Sequence, residues 1–143
     1  MVHVLFLLIG LWGASEVLAE EQSCGSQAMM TMTKADGSKI GLFILPTQIS
    51  NSPAWSPETG EPPLPVSKAV QLATEWAKKE HKRFDSVQVR GINLGAYGCP
   101  TPKHRWYYTV HFVPVVETIP LMVPGYFVAV LMDGTIVGPT AVK

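Results

Sequence analysis

The sequence predicts an α+β fold in which one helix packs on an antiparallel sheet of about four strands. Three features predict it: one segment with helical spacing of its apolar residues, several segments in which apolar and polar residues alternate, and two Asp-Gly turns. A β-hairpin and a proline-rich segment precede the helix. We therefore divide the chain into a leader at residues 1–19, a hairpin and proline-rich lead at 20–65, and an α+β domain at 66–143.

The leader has the pattern of a secretory signal peptide. Residues 4–12 are an unbroken apolar run, and a small-residue pattern that ends at Ala19 predicts cleavage there. No Lys or Arg precedes the run, which leaves an uncleaved membrane anchor as the alternative. A spanning helix needs about 20 mostly apolar residues, and Ser15 and Glu16 interrupt this one earlier. The sequence thus predicts a secreted or periplasmic protein with no stable membrane anchor after cleavage.

Two cysteines follow the leader, Cys24 and Cys99. An even pair in an oxidising compartment favours one disulfide, which would tie the mature N-terminus to a turn near the middle of the chain. The alternative is two separate thiols, with Cys24 in a frayed terminus.

The segment before the helix has two parts. Residues 28–45 predict a hairpin that turns at Asp36-Gly37. Residues 46–65 contain six prolines, which predict a stiff, extended connection without helix. We expect Trp55 to pin this connection onto the domain.

The helix is predicted from residue 66 onward, with Ser67 as its N-cap. Its apolar residues recur at steps of three and four and predict one stripe against the core. The stripe comprises Val66, Ala69, Val70, Ala73, Trp76 and Ala77, and the wet side comprises Lys68, Gln71, Glu75, Lys78 and Lys79.

The remaining chain predicts strands. Residues 87–94 alternate, with a bulge at Gly91. In residues 105–112 the aromatic and aliphatic side chains at even positions share one face. Residues 126–132 are apolar on both faces, as in a central strand, and Asp133-Gly134 turns the chain into a final strand. One helix covers one face of a sheet, so either the N-terminal hairpin or a second copy must cover the other.

Residues 65–138 resemble PepSY-type domains. Val66-Ser67-Lys68-Ala69-Val70 is similar to the start of their helix, Trp106-Tyr107-Tyr108-Thr109-Val110 to their aromatic strand, and residues 127–137 to their closing strands. Asp133-Gly134-Thr135 departs from the family's spacing, in which two residues separate the Asp from a Thr-Gly pair. The resemblance implies an exported module that binds or restrains other proteins, often peptidases, with no catalytic residue. A cystatin-like architecture is similar, but the cystatin inhibitory loop is absent, because Gln88-Val89-Arg90-Gly91 is one residue short of it.

Charge and motif content exclude several kinds of partner and of chemistry. The chain of 143 residues has 11 basic and 11 acidic side chains, which gives no reason to expect nucleic acid as a partner. Its four histidines lack metal-ligand spacing, and nucleophile-elbow, phosphate-loop and dinucleotide motifs are absent. We therefore predict no enzyme, no metal site and no cofactor.

One group of side chains suggests a binding site. If the strand at 87–91 lies beside the strand at 105–111, basic and aromatic side chains share the sheet face away from the helix. Guanidinium groups with a Tyr and a His suit a carboxylate or another anion, whereas the alternative is an ordinary solvated face. The residues are Gln88, Arg90, Arg105, Tyr107 and His111.

The favoured function is a non-enzymatic exported module that binds a protein or peptide along a sheet edge or an uncovered face. One alternative is a small exported hydrolase whose site assembles only in three dimensions. It requires a concave pocket with a His and a carboxylate of perturbed pKa. The other alternative is a structural homodimer subunit that buries its spare apolar face.

Overall fold

The computed structural model of the chain describes residues 24–143. The predicted signal peptide at residues 1–19 lies outside the described residues. Within the described part, no helix has both the length and the apolar character to cross a membrane. The elements in chain order are β1 (Met30–Thr33), β2 (Lys39–Leu42), α1 (Pro46–Ile49), a 3-10 turn (Pro57–Thr59), α2 (Val66–Glu80), β3 (Ser86–Ala96), β4 (Trp106–Val116), β5 (Ile119–Pro120), β6 (Phe127–Leu131), β7 (Ile136–Val137) and β8 (Thr140–Ala141).

Two antiparallel sheets and one long helix confirm the predicted α+β class. The larger sheet has five strands in the order β3-β4-β6-β7, with β5 paired to one end of β4. The smaller sheet has the order β1-β2-β8, so the last strand of the chain joins the N-terminal hairpin. Helix α2 and the smaller sheet contact opposite faces of the larger one.

Helix α2 packs through a stripe of alanines. Ala69, Ala73 and Ala77 are fully buried against β4 and β6, because their small side chains allow the helix to approach the sheet closely. The five polar helix residues predicted to face solvent are all exposed. The prediction of Ser67 as N-cap was wrong: the helix begins at Val66, and the carbonyl of Pro65 accepts the first backbone hydrogen bonds.

The proline-rich segment contains two short helical turns, which corrects the prediction of a purely extended connection. Pro46 and Pro57 each lie in the first turn, where a helix makes no use of the missing N–H. Trp55 pins the segment as predicted. Its ring meets that of Trp106 edge-on at 6.1 Å between centroids, and its indole N–H donates to the Gly60 carbonyl at 3.2 Å.

The apolar second face of β6 is covered by the N-terminal hairpin, one of the two predicted covers. Ile40 and Leu42 from β2 pack with Phe127, Ala129 and Leu131, all buried. The alternate residues of β6 face the helix, so the strand is buried on both sides.

A disulfide joins Cys24 to Cys99, as predicted. It ties the start of the described chain to the β3–β4 loop across a sequence separation of 75 residues, with the Cα atoms 5.9 Å apart. Closing a loop of this length stabilises the folded state by about 4 kcal/mol in the chain-entropy model. Nearby, the Tyr97 hydroxyl donates to the Ile44 carbonyl at 3.3 Å. The disulfide and this hydrogen bond both hold the N-terminal layer to the larger sheet.

Candidate functional site

Strand β3 forms a long free edge of the larger sheet. Among the strands of the described chain it lies at the end of the order, and its one partner there is β4. None of its eleven residues is fully buried. On such an edge strand the backbone N–H and C=O groups that point away from the sheet are available to another chain. The exposed side chains are those of Ser86, Gln88, Val89, Arg90, Asn93, Leu94 and Ala96.

A β-bulge divides this edge, as the glycine in the alternating pattern predicted. The register with β4 shifts between Val89 and Gly91, which makes Arg90 the extra residue. No steric contact requires a glycine at position 91, since a Cβ built on Gly91 would meet no atom within 4 Å. The bulge therefore places a cation beside open space in the middle of the edge.

A cleft of about 290 Å³, here called the bulge cleft, opens next to this position. It lies between β3, β4, β1 and the loop that precedes β6. Its lining includes Met32, Arg90, Gly91, His111, Gly125 and Tyr126, and within residues 24–143 no Asp or Glu contributes to it. Partial burial, and next the charge of Arg90, lower the pKa of His111 below its usual 6.5.

The loop at residues 124–126 also borders a larger cleft of about 470 Å³, here called the helix-end cleft. This cleft carries both signs of charge, since Lys34 and Arg83 line it together with Asp36 and Glu80. Asp36 accepts hydrogen bonds from the Ser38 backbone N–H and hydroxyl, which lower the pKa of its carboxyl.

Aromatic side chains form the wall of the helix-end cleft where α2 ends. The His81 ring lies edge-on to Trp76 and to Tyr126, with centroids 5.6 and 5.1 Å apart. Arg83 donates from Nη2 to the Tyr126 hydroxyl at 2.8 Å, and its guanidinium lies 4.7 Å from the centre of the Phe84 ring. Partial burial is the main cause that lowers the pKa of His81. The charge of Glu80 opposes this shift, and the charges of Arg83 and Lys34 add to it.

The structure brings together two of the four charged and aromatic residues proposed as an anion site. Arg90 and His111 line the same cleft. Tyr107 is only 8 % exposed and belongs to the core beneath the hairpin, and burial raises the pKa of its hydroxyl. Arg105 precedes β4 and donates from Nη1 to the Lys103 carbonyl at 2.9 Å. His111 lies six positions after Arg105, which is roughly 20 Å along a strand.

Gln88, the fifth residue of that group, is exposed on β3 opposite Val113. Sequence reasoning missed the cleft residues that come from other elements, namely Met32, Gly125 and Tyr126. Gly125 is in the left-handed region, with φ of 102°, which glycine adopts readily. Its position between Pro124 and Tyr126 marks a turn, but nothing local indicates that this turn borders β3.

The carboxylates near the sheets accept backbone hydrogen bonds at turns and strand ends. Asp85 accepts the backbone N–H of Glu117 at 2.7 Å, and Asp133 accepts that of Thr135 at 3.0 Å. In the part of the chain that the structure describes, no three His, Cys, Asp or Glu side chains are grouped so as to hold a metal ion. The described arrangement therefore offers backbone pairing and cationic contacts as its chemistry.

Comparison with protein-family models, with curated proteins and with solved structures gave no match to this chain.

Proposed function

We propose that this chain is an exported, non-enzymatic binding domain that pairs an extended segment of another polypeptide with the edge of β3. The observation that carries the proposal is the length and exposure of that edge. Eleven residues end the sheet there, and none is fully buried. An added strand takes its affinity from main-chain hydrogen bonds and its specificity from alternate side chains.

The side chains of β3 suit an added strand. Val89 and Leu94 are 39 % and 40 % exposed and offer apolar contacts on the edge itself. Proteins commonly protect free edges with charges, prolines or short strands. Here β3 has one charged residue, Arg90, and its bulge, whereas the end strands β7 and β8 have two residues each and β1 has four.

A second copy of the chain fits this edge less well than a different polypeptide. Antiparallel pairing of two β3 strands about their centre would bring two Arg90 side chains and two bulges close together, and like charges across strands are destabilising. The apolar face that suggested a homodimer is already covered by the hairpin.

Export is supported by the signal-peptide pattern and by the disulfide between Cys24 and Cys99, because structural disulfides persist in oxidising compartments. The resemblance to PepSY-type domains implies the same class of function, a module that binds or restrains other proteins. On this proposal the bound segment belongs to a protein of the periplasm or the extracellular space.

The helix-end cleft holds the His and the carboxylates that the hydrolase alternative requires, with shifted pKa values at His81 and Asp36. However, the described residues that line it include no Ser, Thr or Cys to act as a nucleophile. The His81 ring contacts are aromatic, and Asp36 is engaged by Ser38. This geometry favours a binding role over catalysis.

Peptides selected from a randomised ten-residue display library test the proposal. We expect bound peptides to protect amides of residues 86–96 from hydrogen exchange. Each peptide is N-methylated either at its odd-numbered or at its even-numbered residues. One of these two patterns should abolish binding and the other should leave it intact, because the N–H groups of alternate residues point toward β3. Two results would contradict the proposal: amide protection confined to another part of the chain, or equal binding of peptides with the two methylation patterns.

A matched pair of variants sharpens this test. Leu94→Ala removes an exposed leucine from β3, and Leu45→Ala removes one of similar exposure, 45 %, from outside the sheet. We expect Leu94→Ala to weaken peptide binding and Leu45→Ala to leave it unchanged. Protection of β3 amides without peptide, together with a dimer by light scattering, would instead identify a second copy as the occupant and overturn the proposal.

A further inference from the structure

We propose that the bulge cleft binds a carboxylate of the polypeptide that pairs with β3. The inference rests on the proposed function, since it assigns one chemical group of the bound segment to a subsite beside the edge. A Glu or Asp side chain and a C-terminal carboxylate share this chemistry.

The charge of the cleft favours an anion. Arg90 and His111 line it from adjacent strands, and none of the described residues that line it is acidic. Among the residues that the structure describes, no carboxylate pairs with Arg90. A planar guanidinium holds a carboxylate through two parallel hydrogen bonds, which gives both strength and direction.

A backbone donor in the same cleft lacks a strong acceptor. The Gly125 N–H, which is partly buried, donates to the Met32 sulfur at 2.9 Å. A thioether is a weak acceptor, so a carboxylate oxygen in its place would form a stronger, charge-assisted hydrogen bond. Arg90, His111 and this N–H thus supply three donors from three different segments.

The bulge also supplies the space. A Cβ at Gly91 would meet nothing within 4 Å, so the region beside the Arg90 backbone is open. Arg90 and Gly91 of the free edge line the cleft, so a segment paired with the middle of β3 would lie beside it. A side chain or a chain end of that segment is therefore within reach of the donors.

The neighbouring helix-end cleft provides the contrast. It is larger, yet Asp36 and Glu80 line it together with Lys34 and Arg83, so opposite charges offset each other. An acidic group is favoured where a cation has no acidic neighbour. The bulge cleft meets this condition, whereas the helix-end cleft does not.

Three small probes test the inference by nuclear magnetic resonance: N-acetylglutamate α-amide, N-acetylglutamine with a free α-carboxylate, and neutral N-acetylglutamine amide. We expect saturable shifts of the Gly125 amide and the His111 ring with both carboxylates and none with the neutral probe. The tighter of the two carboxylates identifies the source as a side chain or a chain end.

Two variants of the same residue type separate the bulge cleft from the sequence-predicted group. Arg90→Gln should weaken carboxylate binding about tenfold, because it removes a charge-assisted contact. Arg105→Gln, about one strand length away, should leave it unchanged. Equal binding by Arg90→Gln, equal binding of the neutral probe, or an equal loss in Arg105→Gln would overturn the inference.

The two proposals fail separately. Suppose that peptides with and without an acidic residue protect the β3 amides equally well, and that the carboxylate probes do not bind. This result would overturn the carboxylate site and leave the edge-pairing proposal standing. Suppose instead that the carboxylate probes shift the resonances of Gly125 and His111, but that no peptide protects the β3 amides. This result would overturn edge pairing, and with it the assignment of the carboxylate to a paired segment.

Discussion

Strands β6 and β3 belong to the same sheet but differ in their cover. All five residues of β6 are buried, because β4 and β7 flank it, α2 lies on one face and the hairpin on the other. No residue of β3 is fully buried, and no strand within residues 24–143 pairs with its outer edge. The sheet therefore has a stabilising side at β6 and an accessible side at β3. We expect mutations in β6 to lower the stability of the fold and mutations in β3 to weaken binding.

The largest expected effect is on the covered side. Phe127→Ala removes a fully buried ring from β6 and should lower the free energy of unfolding by about 3–5 kcal/mol, whereas Leu94→Ala on β3 should change it by at most about 0.5 kcal/mol. Urea denaturation followed by circular dichroism measures both. If Phe127→Ala does not fold, Phe127→Leu should still cost about 1 kcal/mol. Equal losses of unfolding free energy in the Phe127 and Leu94 variants would contradict this difference between β6 and β3.

Glycine substitutions give a smaller effect of the same sign. A Cβ at Gly138 would lie 2.9 Å from the Trp76 ring, so Gly138→Ala forces α2 or the ring to move and should cost about 1–3 kcal/mol. Gly91→Ala on β3 adds the same methyl group to open space and should be nearly neutral. Thermal unfolding of the two variants compares them directly. A neutral Gly138→Ala would show that the helix side is loosely packed.

The smallest effect concerns His81 and His111, which line the helix-end cleft and the bulge cleft, respectively. Their folded-state pKa values are below the usual 6.5, so the unfolded chain binds protons first as pH falls. Stability should be full above about pH 6.5 and decline as pH falls from there toward the lowered values. The lowered pKa values of Asp36 and Glu58 keep these carboxylates ionised in that window.

Urea midpoints at pH 7.5 and 5.5 measure this decline. The double variant His81→Gln, His111→Gln should reduce the difference between the two midpoints. A wild-type protein that is equally stable, or more stable, at pH 5.5 would contradict the assignment of burial as the main cause of the shifts.

The helix and the strands could be predicted because their signals are local. The alanines of α2 recur with helical period, and Asp36-Gly37 turns the hairpin. The error in the proline-rich segment has a local cause. A proline at the start of a helical turn loses no hydrogen bond, so the count of prolines did not exclude the two short turns.

The candidate site was predicted only in part. Arg90 and His111 were placed together because the pairing of their two strands was anticipated, and the register confirms that Gly91 lies opposite His111. Arg105 was included because it shares the alternation of β4, but alternation gives the face of a strand and not the distance along it.

The class of fold, the disulfide pair, the amphipathic helix and the bulge could be predicted from the sequence, since each depends on residue type and short-range spacing. Three further features became known from the packing of the whole chain: the layer that covers β6, the position of β3 at the edge, and the contact of Gly125 with Met32 across 93 residues of chain. Strand order and layer packing depend on the burial of apolar surface between distant segments. No local period in the sequence records that choice.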